Sequence, residues 1–337
     1  MNGTAHEHTF ELEGFDLISR AVTLTVEAEG GCTDAHTLAV EVYPEVVANP
    51  VGALEGCAPW QSDLTAEGYA GASNHNITWT LPEGDTFEGV DLQRTFVGLE
   101  GQDEELTLGL SITSPFGCQA HSTVTATVHH TPVSDFTLSN MAACAGTEIA
   151  LLDASMYADE VTLDWGDGTG SAANSVGTHA FDNDNFEPMV VEVVQTATTA
   201  FGCEAHTFVN HTVFPKVTAD FVAPAPACAP LTLTLVNQST NANGTFTWDF
   251  GDGSPTSSSA QPSHLFDTDA DASSVYTIQL NATSTYGCAD STSHEVEVHA
   301  TPIADIEVLD QAGCYPLEVT FGNQSVGGEA YIWSYGT

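Results

Sequence analysis

Two short stretches hold the residues best suited to chemistry. "LDWGDGTG" at 163–170 sets Asp164 and Asp167 among glycines, and "TWDFGDGS" at 247–254 repeats the arrangement with Asp249 and Asp252. Paired carboxylates are oxygen ligands of the kind calcium accepts. They also suit a tight turn, because Gly reaches positive φ without strain and Asp accepts hydrogen bonds from nearby backbone N–H groups. The turn is the favoured reading, since Asp serves it with or without a metal. Looser acidic runs follow each pair: "FDNDNFE" holds Asp182, Asp184 and Glu187, and "FDTDADAS" holds Asp267, Asp269 and Asp271. Alternating acids on an extended loop can converge on one ion, so these are the better candidate calcium ligands. They lack the Gly and terminal Glu of an EF-hand loop, and diffuse cation binding by a solvated acidic face competes with a specific site. No motif requires a cofactor.

Histidines recur as well. His179 and His264 precede an aromatic residue in "THAF" and "SHLF", 85 residues apart, and His36, His121 and His206 closely follow a Gly-Cys pair. Recurrence at one repeat position predicts packing or hydrogen bonding rather than metal ligation. There is no Gly-x-Ser-x-Gly elbow and no His-Glu-x-x-His pair, and nothing marks two acids as catalytic, so the chain reads as a non-enzyme. Seven Asn-x-Ser/Thr triplets occur, of which Asn237 and Asn323 share one repeat position and suit turns.

The charge narrows the partners. Three basic residues stand against 46 acids, for a formal charge of -43. Nucleic-acid binding neutralises phosphates with Lys and Arg, so it is excluded on this count, and an anionic membrane surface would repel the chain. Acidity alone could signal disorder, but 42% of residues are hydrophobic and alternating segments recur, so the acids cover folded domains. No run approaches the roughly 20 apolar residues of a membrane helix. "MNGTAHEHTF" is not a signal peptide.

The elements that must position these residues follow one period. Gly-Cys occurs at Cys32, Cys118, Cys203 and Cys288; a second set is Cys57, Cys144, Cys228 and Cys314; a third is Trp79, Trp165, Trp248 and Trp333. All three keep a spacing of about 85 residues. Prolines recur between units at Pro44, Pro132, Pro215 and Pro302. The chain divides into the back half of one repeat at 1–43, full repeats at 44–130, 131–214 and 215–300, and the front half of another at 301–337. On this reading the parent protein extends in both directions. Inside a repeat, segments such as "LTLTLVNQS" and "VYTIQLNATSTYG" alternate polar and apolar residues with period two, between Gly, Pro, Asn and Asp clusters. Seven or so short strands in about 85 residues predict an all-β, immunoglobulin-like antiparallel sandwich, with Trp165 and Trp248 on a central strand.

At 215–300 the succession "CAPLTLTLVNQS", "FTWDFGDGS", "PSHLF" and "YTIQLNATSTYGC" resembles the PKD domain, an immunoglobulin-like module. The repeat at 131–214 resembles it well. The repeat at 44–130 departs from it, since "ITWTLPEGD" replaces the acidic turn and "LPEGDTFEGVDLQRTF" at 81–96 breaks the pattern. Acidic tandem repeats of this kind resemble those of giant bacterial surface proteins and adhesins, a resemblance that implies an extracellular, structural or adhesive role.

Eight cysteines at fixed repeat positions, with no CxxC spacing, indicate disulfides rather than zinc. In a sandwich the Gly-Cys cysteine opens the last strand, near the domain's N-terminal end, while the "CAPL" cysteine lies near the C-terminal end. Within one repeat they are a strand length apart, ~20–30 Å. A disulfide needs Cα atoms ~4.4–6.8 Å apart. Across an end-to-end junction Cys57 reaches Cys203 and Cys144 reaches Cys288, with Cys32 and Cys118 pairing upstream and Cys228 and Cys314 downstream. Pairing within repeats, as Cys57–Cys118, Cys144–Cys203 and Cys228–Cys288, stays open, because loops can fold back. The resulting expectation is an extended rod at a bacterial surface or in the medium, a non-catalytic stalk or filament. Its expected partners are its own neighbouring repeats, and identical chains or a surface glycan or protein are further candidates. The rival readings are an adhesin module, sought first in the divergent 44–130 repeat, and spacer repeats of a surface hydrolase.

Overall fold

The structure is a computed structural model of the chain, describing residues 5–336 apart from 13–15, 69–73, 170, 174–176, 269–271 and 310–311. Among the described residues all regular structure is β. Four long hairpins dominate it: Ile18–Glu27 with Thr33–Val42, Glu104–Thr113 with Gln119–His129, Met189–Thr198 with Glu204–Phe214, and Ser274–Thr283 with Ala289–His299. Their alternating sequences place one face inward. In Glu104–Thr113, Leu106, Leu108, Leu110 and Ile112 are buried while the residues between them are not. The Gly-Cys pair closes each hairpin. Gly117, Gly202 and Gly287 take positive φ of 87°, 99° and 86°, a region that costs a side chain energy but not glycine. Their N–H groups donate to the carbonyls of Ser114, Thr199 and Ser284, whose own N–H groups donate to the Cys carbonyls.

Around three of these hairpins a sandwich is complete. In the second, Glu204–Phe214 carries Ala142–Cys144 on its outer edge in parallel, and Met189–Thr198 pairs with Glu160–Asp164, which pairs with Ser171–Ala173. The opposing sheet is Phe136–Leu138, Glu148–Asp153 and Thr178–Ala180. The sandwich before it repeats this order. Its Thr86–Glu88 takes the edge position of Ser171–Ala173, so the departure at 81–96 is absorbed as ordinary sandwich structure, with Leu92 and Phe96 buried. Each sandwich encloses its own core, centred on Trp79 and Leu108, on Leu163 and Val193, and on Trp248 and Ile278. Full burial of one such side chain contributes ~1.5–3 kcal/mol.

The strand register corrects one marker. Trp79 pairs with Leu110 and Trp248 with Leu280, but the residue paired with Gln195 at the same place is Leu163. Trp165 lies beyond the end of its strand, where the next sandwich has Phe250. The tryptophans therefore do not mark a single position, and the shorter 83-residue step between Trp165 and Trp248 reflects that two-residue shift. With a leucine in place of the larger Trp, the buried Gln195 is satisfied by a polar set. It donates from Nε2 to Asp153 Oδ1 at 3.0 Å and accepts from the hydroxyls of Ser134 and Ser155.

Among the described residues the sandwich is not closed at either end. The Ile18–Glu27 and Thr33–Val42 hairpin is exposed along nearly its whole length. Near the C-terminus Ile306–Val308 pairs with Phe321–Asn323, also largely exposed.

Candidate functional site: the junctions between repeats

The acidic turns are built as turns. Asp164 and Asp249 accept from the N–H groups of Gly166 and Gly251 at 2.9 and 3.0 Å, and Asp167 and Asp252 accept from Thr169 and Ser254 at 3.0 Å. Gly166 and Gly251 hold φ of 77° and 75°, and a Cβ there would press on the carbonyl oxygens of Glu192 and Thr277. The outer oxygens of Asp167 and Asp252 lie 2.6 and 2.7 Å from Nε2 of His179 and His264. Those rings stack on Trp165 and Phe250, which is the structural part that recurrence predicts for them. Partial burial of Asp252 works against its ionisation, but hydrogen bonds from Ser254 and His264 outweigh it and hold the carboxyl at about 2. Asp167 is lowered in the same way.

The looser acids at 182–187 do not converge. Asp182, Asp184 and Glu187 are exposed. Between them the buried Asn183 donates to the carbonyls of Glu187 and Val213. Asp267 receives the N–H of Thr268 and gives its carbonyl to the Tyr276 hydroxyl, while Asp269 and Asp271 lie outside the described residues. Among the described residues no three His, Cys, Asp or Glu side chains are grouped as metal ligands. His121 and His206 meet the hydroxyls of Ser111 and Thr196 across their hairpins.

The residues that the fold does bring together lie between repeats. The "CAPL" cysteine stands beside the last residue of its sandwich, Cys57 opposite His129 and Cys144 opposite Phe214. Disulfides join Cys57 to Cys203 and Cys144 to Cys288, with Cα atoms 5.5 and 5.6 Å apart. Pairing within a repeat is absent: Cys144 and Cys203 each bond a different repeat, and Cys118 and Cys228 are unpaired, as are Cys32 and Cys314. The reason is geometric, since the two cysteines of one sandwich belong to its opposite ends.

Beside each bond two rings stack. His129 lies on Phe201 with centroids 3.6 Å apart, and Phe214 on Tyr286 at 4.7 Å; Tyr43 lies on Phe116 at 4.3 Å at the junction before them. One ring ends a sandwich and the other precedes the Gly-Cys pair of the next. Sequence reasoning passed over these rings, although Phe-Gly-Cys at 116–118 and 201–203 and Tyr-Gly-Cys at 286–288 carried the signal.

The two stapled junctions are filled differently. At the first, Asp103 lies 2.7 Å from Nδ1 of His130 and 2.8 Å from Nδ1 of His129. Hydrogen bonds from His130 and then His129 lower its carboxyl to about 2. His130 Nε2 lies 3.2 Å from the carbonyl of Tyr157, whose ring covers Gly101 so closely that a Cβ would sit 2.4 Å from it. Thr131 donates its hydroxyl to the carbonyl of Ala58. At the second, Val217, Ala219, Ala282 and Cys288 bury a small apolar cluster against Cys144 and Phe214. Asn241, at φ 56°, donates to the carbonyls of Asn185 and Lys216.

The family model of the PKD domain matches residues 213–301. No curated protein matches the chain in sequence. Among solved structures the chain is similar to a Ca2+-stabilized adhesin with which an Antarctic bacterium reaches out and binds ice, at 14% identity, over 83% of this chain and 81% of that one, with a TM-score of 0.29. It is similar to a 1.5-MDa bacterial ice-binding adhesin, at 13% identity, over 77% and 99%, with a TM-score of 0.26. It is also similar to repeats EC1–4 of Drosophila N-cadherin, at 16% identity, over 86% and 85%, with a TM-score of 0.28.

Proposed function

With a PKD domain at 213–301 and the same sandwich order in the two repeats before it, we propose that the chain is a non-catalytic structural segment of an extracellular surface rod. The observation that carries this reading is the junction. A disulfide and a stacked ring pair sit at one repeat position and tie each sandwich to the next. Disulfides of this kind persist in oxidising surroundings, which favours a secreted location. Repeats that touch mainly their neighbours add length without new folds. The like charge of successive repeats opposes folding back, and the acidic surface gathers cations diffusely rather than at one coordinated site.

Small-angle scattering of the oxidised and reduced chain tests the reading. The oxidised chain gives one narrow distribution of maximum dimensions, matching three sandwiches in line. Reduction broadens it. A compact oxidised particle, or no change on reduction, removes the rod. An adhesive reading is favoured by one observation, the exposure of Val97 and Leu99 on the divergent 44–130 repeat. A glycan array probed with that repeat and with 215–300 separates them, because only a binding module retains a ligand on the first and not the second.

A further inference from the structure

A cleft of about 360 Å³ opens at the second stapled junction, lined chiefly by Phe186, Pro215, Ser239, Asn241, Asn243 and Tyr286. Small-ligand sites span ~300–1,000 Å³, so this one has room for a single small group. The first junction shows what the fold otherwise places here. Tyr157 and Asn241 each follow a bridged residue, Met156 and Thr240, and share a positive φ of 60° and 56°. Gly101 and Phe186 each stand three residues before a long strand, Glu104–Thr113 and Met189–Thr198. At the first junction the Tyr157 ring lies against Gly101 and fills the space. At the second the ring belongs to the other position and faces solvent. Phe186 is 79% exposed, and the short Asn241 leaves the space open.

Charge is removed from the same places. Asp159 accepts the N–H of Ala200 at the first junction, and the amide of Asn243 accepts that of Thr285 at the second. His130 follows the last strand of one sandwich, and Pro215 follows that of the next. In a chain with 46 acids this lining holds no charged side chain, whereas another cleft is lined by Asp167 and Asp182. Its polar groups are also unspent. Asn243 Nδ2, Asn241 Oδ1 and the Tyr286 hydroxyl make no hydrogen bond among the described residues. The loop that presents Phe186 is held in place, because the buried Asn183 donates to the carbonyls of Glu187 and Val213. A ligand therefore meets a ring whose ordering cost was met on folding.

We propose that this cleft binds an uncharged sugar ring of a glycan, seated where the Tyr157 ring lies at the first junction. A sugar ring offers a C–H face that packs on an exposed aromatic ring, here Phe186. Its hydroxyls both donate and accept, which suits the free amide oxygen of Asn241, the free amide nitrogen of Asn243 and the Tyr286 hydroxyl. The strongly acidic chain repels sulfated and carboxylated sugars, so charge selects within the class. The site needs only the second junction, so it stands apart from the rod as a whole and does not involve Val97 or Leu99.

The test probes the oxidised full chain on an array of neutral, sulfated and sialylated oligosaccharides. The strongest neutral hit is then titrated by calorimetry up to about 10 mM, tenfold above a millimolar Kd. Neutral sugars should be retained and anionic ones should not. Phe186→Ala should weaken binding at least tenfold, with the melting temperature and the scattering profile unchanged. Phe186→Gly combined with Asn241→Tyr rebuilds the filling of the first junction, and should abolish binding in a chain that still unfolds cooperatively. Scattering of the parent chain reads the rod separately, so either reading can fail alone. No retained neutral sugar, a preference for anionic sugars, or binding indifferent to both variants overturns the proposal. Tyrosinamide bound in place of sugar, and lost in the same variants, would assign the cleft to an aromatic side chain of a protein partner and overturns it equally.

Discussion

The junction closed by Cys57–Cys203 and the one closed by Cys144–Cys288 share a bond and a ring stack and almost nothing else. The first is filled by Asp103, His129, His130 and the ring of Tyr157 over Gly101. The second is filled by small apolar side chains and the neutral amides of Asn183 and Asn241. Two different fillings surround the same disulfide position, with Cα atoms 5.5 and 5.6 Å apart, and the same kind of ring stack. The recurring pair is what the junctions share, and the remaining contacts exclude water and satisfy the backbone around it.

Five measurements break or sharpen this comparison. Cys57→Ser with Cys203→Ser, and separately Cys144→Ser with Cys288→Ser, should each cost on the order of 4 kcal/mol against the fully unfolded chain, because each bond closes a loop of about 145 residues. Chemical denaturation reads that cost. Scattering should then show more bending in the first variant, since Val217, Ala219, Ala282 and Phe214 still pack at the second junction once Cys144 and Cys288 are replaced; equal bending would mean the filling is irrelevant. Gly101→Ala should come next, at about 1–3 kcal/mol, because φ is +67° and the new methyl meets the Tyr157 ring. Gly202→Ala is the control at a positive φ with open space around it, and its smaller loss in thermal unfolding isolates the ring clash.

Acid should distinguish the junctions more gently. The folded carboxyl of Asp103 is held at about 2, below its ordinary 3.8, so its contribution is present above about pH 4 and fades as the pH falls toward 2. Being half-exposed, it contributes under about 1 kcal/mol. Protease cleavage at 129–131 should rise over that range, and Asp103→Asn should remove the dependence; a parallel rise at 214–216 would sink the contrast. Calcium should have the smallest effect. At matched ionic strength it should shift the melting temperature no more than magnesium does, whereas a clear calcium-specific rise would restore a coordinated site.

Much of the architecture was legible because it repeats. Alternation gave the strands, and the Gly-Cys pairs gave the hairpin turns that Gly117, Gly202 and Gly287 close. The register of Trp165 was not legible, because a Trp two residues further along still reaches the core, and only pairing with Gln195 reveals that Leu163 holds the position. The contacts of Asp103 with His129 and His130 were invisible for the opposite reason. They occur once, and residues 26 and 27 apart in sequence meet only after the sandwich has closed. Spacing alone did not reveal that Asn183, between two of the alternating acids, turns into the core and leaves Asp182 and Asp184 in solvent.

The spans of the two disulfides overlap, from Cys57 to Cys203 and from Cys144 to Cys288. Stretched without them, the 231 residues from Cys57 to Cys288 would reach about 800 Å. With both bonds intact the shortest covalent path runs from Cys57 to Cys203, back through 59 residues to Cys144, and on to Cys288, about 200 Å even if every sandwich in between has unravelled. A backbone cut anywhere along that stretch still leaves its ends attached. The same overlap makes this part of the molecule a strap of fixed reach, which gives up its folds under load before it gives up its length.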